Sequence, residues 1–201
     1  LEMTAGYTMF TNNGVYNHPR LYTKVLDSEG KVLLTKNPDS EIVISEQSAA
    51  IMTKMLKNVM NNGTGTSVTL RHSVDTAGKT GTTTADFDRW FVGYTPYYIG
   101  GTWVGYDNNI ALSKFGPNPA CNIWDVVMSK LHQKYIDRAA SGEETLKTFN
   151  DAPGVVEIVY CRDSGKLANE NCILEGRALT GYYSIERAPT EYCGIHAPGH
   201  D

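Results

Sequence analysis

No apolar run in this sequence approaches the ~20 residues that a membrane-spanning helix requires, so none of it is expected to cross a bilayer. The opening residues Leu1-Glu2-Met3-Thr4-Ala5 lack the charged-then-apolar layout of an export signal and read instead as part of a helix. That start is expected of a piece of a longer protein, with any anchor or signal upstream. Lys and Arg are nowhere dense enough to track a phosphate backbone, and the net charge is −4 with a pI near 5.7. Nucleic acid is therefore excluded as an expected partner. Internal repeats and low-complexity tracts are missing, and no motif calls for a cofactor. Cysteine is sparse at four positions, Cys121, Cys161, Cys172 and Cys193, three of them in the last quarter. Four cysteines allow three full pairings, and spacing does not choose among them.

What is present suits one packed domain with an appendage. Hydrophobic residues make up 41% and charged residues 20% of 201 positions, enough to bury a core and too apolar for a disordered tail. Residues 1 to 13 read as the end of a helix stopped by Asn12-Asn13-Gly14. Leu21 to Asp27 and Lys31 to Thr35 flank a turn at Asp27-Ser28-Glu29-Gly30 and predict a hairpin. Ser45 caps a helix on which Ile51, Met52, Met55, Leu56, Val59 and Met60 recur at helical spacing, ended by Asn61-Asn62-Gly63.

The period then changes. Val74 to Thr83, Arg89 to Thr95 and Tyr98 to Tyr106 are rich in β-branched and aromatic residues, and their short connections predict an antiparallel meander. Pro119 and Ala120 precede an amphipathic stretch, Ile123 to Ile136, expected to lie across that sheet. The fold class is thus α+β, an antiparallel sheet flanked by helices, with a small irregular C-terminal module. The expected divisions are a domain at 1–140, a polar linker at 141–154 and a Cys-containing module at 155–201, opened by a strand at Val155 to Tyr160.

The run Ala77-Gly78-Lys79-Thr80-Gly81-Thr82-Thr83 lies on the first strand of the meander. Lys-Thr-Gly alone is a weak signal, but its flanks extend it. Gly63-Thr64-Gly65-Thr66 precedes it; Asp88-Arg89-Trp90-Phe91-Val92-Gly93-Tyr94 and Trp103-Val104-Gly105-Tyr106-Asp107 follow. Together these resemble the transpeptidase domain of class A penicillin-binding proteins, in which a Lys-Thr-Gly strand works with a Ser-x-x-Lys nucleophile and a Ser-x-Asn motif. The resemblance covers about the first two-thirds of the chain and touches the tail. It implies a peptidoglycan D,D-transpeptidase with D-Ala-D-Ala stem peptides and β-lactams as ligands of the complete domain. It also implies a bacterial cell-wall location outside the cytoplasmic membrane, with a parent that carries a glycosyltransferase domain.

On that resemblance Lys79 and Thr82 are the catalytic candidates, and Thr80, Gly81 and Thr82 the substrate-binding ones. An extended peptide can add to an exposed strand edge; Gly81 lets its backbone approach. Thr80 and Thr82 offer hydroxyls to a terminal carboxylate, and Lys79 offers positive charge. The Thr82 N–H would form half of an oxyanion hole, the other half being the N–H of the nucleophilic serine. The bland reading makes Lys79 an ordinary edge lysine and Thr82 and Thr83 mere β-formers. Trp90 and Trp103 are assigned to packing.

The nucleophile itself is not found. The one Ser-x-x-Lys match, Ser28-Glu29-Gly30-Lys31, falls in the predicted hairpin turn rather than at a helix start, and Ser-x-Asn does not occur. Asn12-Asn13-Gly14 is similar to a family element that lies after both motifs, so the chain is expected to hold the binding strand without the serine. Alone it should be inactive, with the upstream half of the same protein as its natural partner. The rival is a non-catalytic peptide-binding or docking module.

The tail segments Cys161 to Ala168 and Pro189 to His196 resemble an appendage on some Gram-positive class A enzymes. Within that resemblance a Cys172–Cys193 disulfide is preferred, with Cys121 buried at the start of the last long helix and Cys161 unassigned. A metal reading also exists: Cys193, His196 and His200 are spaced Cys-x2-His-x3-His, and Cys172 could complete a tetrahedral zinc site. The stapled module is favoured over it, and no metal is expected.

Overall fold

Tyr7 splits the first helical stretch in two in this computed structural model, which describes residues 1–196. Helix α1 spans Glu2–Gly6 and α2 spans Thr8–Thr11. Asn13 and Gly14 then take positive φ, 52° and 93°, and turn the chain out of the helix. Strands β2 (Lys24–Leu26) and β3 (Val32–Thr35) form the predicted hairpin. Asp27 holds its tip by accepting from the Glu29 and Lys31 amides. A second small ladder, absent from the sequence reading, pairs β1 (Val15–Asn17) with β4 (Ser40–Ile42). Two three-residue strands this far apart in sequence carry no period long enough to detect.

Ser45 caps α3 (Glu46–Asn62), its hydroxyl accepting from the Ser48 amide at 3.2 Å. The face that α3 buries takes only Leu56 and Met60 from the expected stripe. Ala49, Ala50, Thr53, Leu56 and Met60 point inward, whereas Met52 and Met55 face solvent.

The meander forms as read: β5 (Ala77–Thr82), β6 (Asp88–Tyr94) and β7 (Ile99–Gly105) pair antiparallel in that order. Helix α4 (Pro119–Ala140) crosses one face, with Trp124 edge-on to Phe91 at 5.2 Å between ring centroids. A Cβ on Gly93 would sit 2.5 Å from Phe91 and 2.8 Å from Trp124, so a glycine is required where the helix meets the sheet. Cys121 is buried in this layer as expected. Ala77 and Tyr94 occupy the opposite face with Leu56 of α3, Tyr7 and Phe10. There the buried Tyr94 hydroxyl meets Thr53 Oγ1 at 3.0 Å. Burial drives the Tyr94 pKa well above its ordinary value.

The stretch read as a linker, 141–154, lacks helix and strand yet is not free chain throughout. The Lys147 amide donates to Tyr97 Oη, the Phe149 amide donates to Asp75, and the Phe149 ring packs on Tyr94. The chain divides into two compact units between Asn150 and Asp151. The second unit is more regular than the irregular module expected: β8 (Val155–Cys161) pairs with β9 (Ala178–Ser184), and α5 (Glu170–Leu174) lies between them in sequence. No described helix is long and apolar enough to cross a membrane.

Candidate functional site

Strand β5 is an edge of its sheet, paired through Lys79↔Val92, Thr80↔Phe91, Gly81↔Trp90 and Thr82↔Arg89. Which backbone groups face the open side follows from the turn. The Thr83 amide donates to Asp88 O at 3.2 Å, making Thr83 and Asp88 a hydrogen-bonded pair. Antiparallel pairs alternate, so the N–H and C=O of Thr82 and of Thr80 point away from β6, toward the free edge. Lys79 confirms the direction: its Nζ donates to the Thr80 carbonyl at 2.8 Å. The edge therefore offers the Thr80 and Thr82 amides, the Thr80 carbonyl and one ammonium in a short span, with Lys79 and Thr82 exposed and Thr80 and Gly81 half-buried.

The neighbouring loop adds a residue that the sequence reading quoted without assigning. Thr64 Oγ1 lies 2.7 Å from Thr80 Oγ1, joining the Gly63–Thr66 segment to the strand. Thr83, left open above, is structural: its Oγ1 accepts from the amides of Phe87 and Asp88 and closes the β5–β6 turn. Asp86, at φ 54°, takes a two-pronged bond from Arg89 at 2.7 Å on each arm, and Arg89 Nη1 reaches Gly116 O at 2.6 Å. The Arg89 guanidinium holds the Asp86 carboxyl below its usual range. At Gly81 the tight contact is within the sheet, because an added Cβ would lie 3.2 Å from Trp90 Cβ. Trp103 is not a core residue: 44% exposed, its ring lies tilted against Trp90 at 6.3 Å and it donates from Nε1 to Asp88 Oδ1. Ser28 and Lys31 sit at the β2–β3 turn, not on a helix.

The second unit holds the other cluster of chemistry. Cys172 and Cys193 are free thiols rather than the disulfide expected from the tail resemblance. The physical reason is a third sulfur and an imidazole in the same place. Cys161, Cys172 and Cys193 surround His196 Nδ1 with Sγ···N distances of 3.4, 3.4 and 3.5 Å. The ligand atoms of these four residues all lie within 4.8 Å of one another. Three of the four are legible as metal-ligand candidates in the sequence; Cys161 is not, because it lies too far along the chain from the Cys-x2-His pair to share a spacing motif with it. His200, the fourth residue of that reading, lies outside the described residues. No metal was expected here, yet these four residues form a group whose ligand atoms could hold one ion. Burial opposes ionisation of Cys161, but the amides of Ser164 and Asp163 outweigh it and hold the thiol below its usual value. The Ser164 hydroxyl and nearby amides pull Cys193 down to about 6.

Comparison with known proteins places both units. The family model "Penicillin binding protein transpeptidase domain" matches residues 1–110, and "Penicillin-binding protein 1A, C-terminal domain" matches 152–198. Penicillin-binding protein 1A of Clostridium perfringens is 33% identical over 202 residues, covering 98% of this chain and 23% of that protein. The chain thus spans about a quarter of the length of such relatives. Among solved structures, penicillin-binding protein 1A of Haemophilus influenzae aligns at TM-score 0.70 and 21% identity, over 96% of this chain and 32% of that one. The D,D-transpeptidase domain of a peptidoglycan glycosyltransferase from Eggerthella lenta aligns at 0.54 and 26%, over 67% and 32%. The sheet and helices of the first unit are those of this α+β fold.

Proposed function

Because the chain belongs to the class A penicillin-binding protein transpeptidase family, we propose that it supplies the substrate-binding strand of a peptidoglycan D,D-transpeptidase whose nucleophilic serine lies outside these 201 residues. The observation that carries this reading is the free edge of β5, with the Thr80 and Thr82 amides turned outward beside Lys79. A stem peptide ending in D-Ala-D-Ala lies along that edge as an added strand. Lys79, Thr80 and Thr82 meet its terminal carboxylate, and the Thr64 hydroxyl steadies Thr80. The serine attacks the penultimate D-Ala carbonyl, and the oxyanion that develops accepts from the Thr82 N–H. Collapse expels the terminal D-Ala and leaves an acyl-serine, which an acceptor amine on a second stem then attacks. A β-lactam presents the same carboxylate and carbonyl and stops at the acyl stage. The location that goes with this chemistry is the extracytoplasmic face of a bacterial, Gram-positive cell membrane, anchored through residues outside this chain.

Surface apolarity supports a covering partner from the same protein. Helix α4 is apolar on two sides: Trp124 and Met128 are buried, while Ile123, Val126, Val127 and Leu131 face solvent. Met52 and Met55 do the same on α3. The upstream half of the protein is the occupant proposed for these faces.

The experiment joins this chain to the upstream portion of its own gene and follows acylation by a fluorescent penicillin. Lys79→Ala should slow acylation by about 10²-fold or more, the scale of losing one group that stabilises the transition state. An unchanged rate would exclude β5 from the site. No labelling of the joined wild-type protein would favour the rival reading, a peptide-docking module without catalysis.

A further inference from the structure

We propose that the second unit is a zinc module, with Cys161, Cys172, Cys193 and His196 Nδ1 as the four ligands of one structural Zn²⁺. The first argument is that hydrogen bonding alone cannot account for the geometry. An imidazole nitrogen has one proton or one lone pair, yet Nδ1 stands at 3.4, 3.4 and 3.5 Å from three sulfurs. A single ion serves all four atoms at once. Zn–S bonds of about 2.3 Å and a Zn–N bond of about 2.0–2.1 Å at tetrahedral angles set each S···N edge near ~3.5 Å. The observed edges have that length.

The surroundings are those of a metal-bound histidine. With Nδ1 turned to the sulfurs, His196 directs Nε2 toward Asp163 Oδ2 at 3.4 Å and Glu175 Oε2 at 3.6 Å. A carboxylate on the far nitrogen fixes the tautomer that leaves Nδ1 free to bind. Asp163 is itself held by Arg177 at 2.6 and 2.7 Å. The ligand loops are tied before any ion arrives. Asn169 accepts from the Cys172 amide and donates to the Cys193 and His196 carbonyls, and Asn171 donates to His196 O.

The unit also lacks another core. Its buried hydrophobic residues, among those described, are Ala152 and the three cysteines, and Ala168 and Ala178 pack against the cysteine cluster. A module of about fifty residues with so little apolar interior needs a staple. Three thiolates and one imidazole fill all four tetrahedral positions, which makes the site structural and leaves none open for a substrate. The ion takes the sulfurs as thiolates and His196 as neutral imidazole, displacing whatever protons the four groups carry, so affinity falls as pH is lowered.

The test uses the full chain, purified reduced and metal-free. Added Zn²⁺ should bind one per chain by elemental analysis, raise the melting temperature and protect three of four thiols from a thiol reagent. Co²⁺ in its place should give the intense visible bands of a tetrahedral thiolate site. Cys161→Ser, which leaves Cys172 and Cys193 able to pair, should lose stoichiometric binding, whereas Cys121→Ser should keep it. Glu175→Gln, on a half-exposed side chain, should weaken Zn²⁺ by about tenfold or more. Substoichiometric metal, an octahedral cobalt spectrum, or a Cys161→Ser protein that binds as wild type would overturn the proposal. So would a Cys172–Cys193 disulfide persisting in the folded protein in the presence of zinc.

Discussion

Thr53 and Tyr94 form a buried polar contact between α3 and the sheet that carries Lys79, and its loss should be measurable and non-additive. Both side chains are buried, at 4% and 0% exposure, and their oxygens lie 3.0 Å apart. Thr53 Oγ1 also reaches Phe10 O at 3.4 Å, so Tyr94 donates to Thr53 while Thr53 donates onward to the carbonyl. Thr53→Val preserves shape but strands the Tyr94 hydroxyl in an apolar layer of Tyr7, Phe149 and Leu56. An unsatisfied buried hydroxyl costs about 1–3 kcal/mol. Tyr94→Phe removes the stranded group itself and leaves Thr53 its carbonyl, costing about 1 kcal/mol. The double variant removes both and should be no worse than Thr53→Val alone, a coupling of about 1 kcal/mol. Urea unfolding of the four proteins gives these values, and the melting temperature should fall by about 2–4 °C per kcal/mol for a domain of this size. Strict additivity within about 0.3 kcal/mol would refute the contact.

Other expectations follow the same logic. His132 is fully buried, its Nδ1 2.7 Å from Met128 O and its Nε2 2.8 Å from Thr95 Oγ1, so the ring is neutral, donating to the carbonyl and accepting from the hydroxyl. Burial lowers its pKa below 6.5; the unfolded chain therefore binds the proton first, and stability is full above about pH 6.5 and is lost as pH falls below it. A His132 ring resonance titrating above that pH would contradict this. Asp125 accepts from the Thr69 amide and hydroxyl and from the Leu70 amide at 2.7–2.9 Å. Asp125→Ala should cost about 1–2 kcal/mol by chemical unfolding, and a neutral result would mean that the loop finds water in its place. Replacing Val126 and Val127 by lysine should reduce self-association of the isolated chain in gel filtration without lowering its melting temperature; an unfolded product would show that this face is core.

How much of this was legible in the sequence varies with the range of the interactions. The β5–β7 meander was, because its strands are seven or so residues long and joined by short turns. The Val15–Asn17 and Ser40–Ile42 pairing was not, since each strand is too short to show a period and its partner is remote. Trp103 was misread because aromatic content suggests core, whereas its pairing with Trp90 leaves it on a half-open face. Met52 and Met55 of α3 misled in the same way, although Met60 is buried: helical spacing marks an apolar stripe without saying what covers it. At β5 the Lys-Thr-Gly run named the strand, but the outward amides of Thr80 and Thr82 follow from the pairing with β6 and the Thr83–Asp88 bond, which the run does not carry. The cysteines show the limit most clearly. Cys193 and His196 are close in sequence, while Cys161 and Cys172 reach them through β8 and α5, so spacing alone left a disulfide and a metal site both possible.

We propose above that this chain holds the carboxylate-binding edge of a transpeptidase and not its nucleophile. Labelling the purified 201-residue chain with a fluorescent penicillin, in parallel with the same chain joined to its upstream portion, tests that most directly. A covalent adduct is expected only in the joined protein, on a serine outside residues 1–201. A stable adduct on any serine of the chain alone would contradict it.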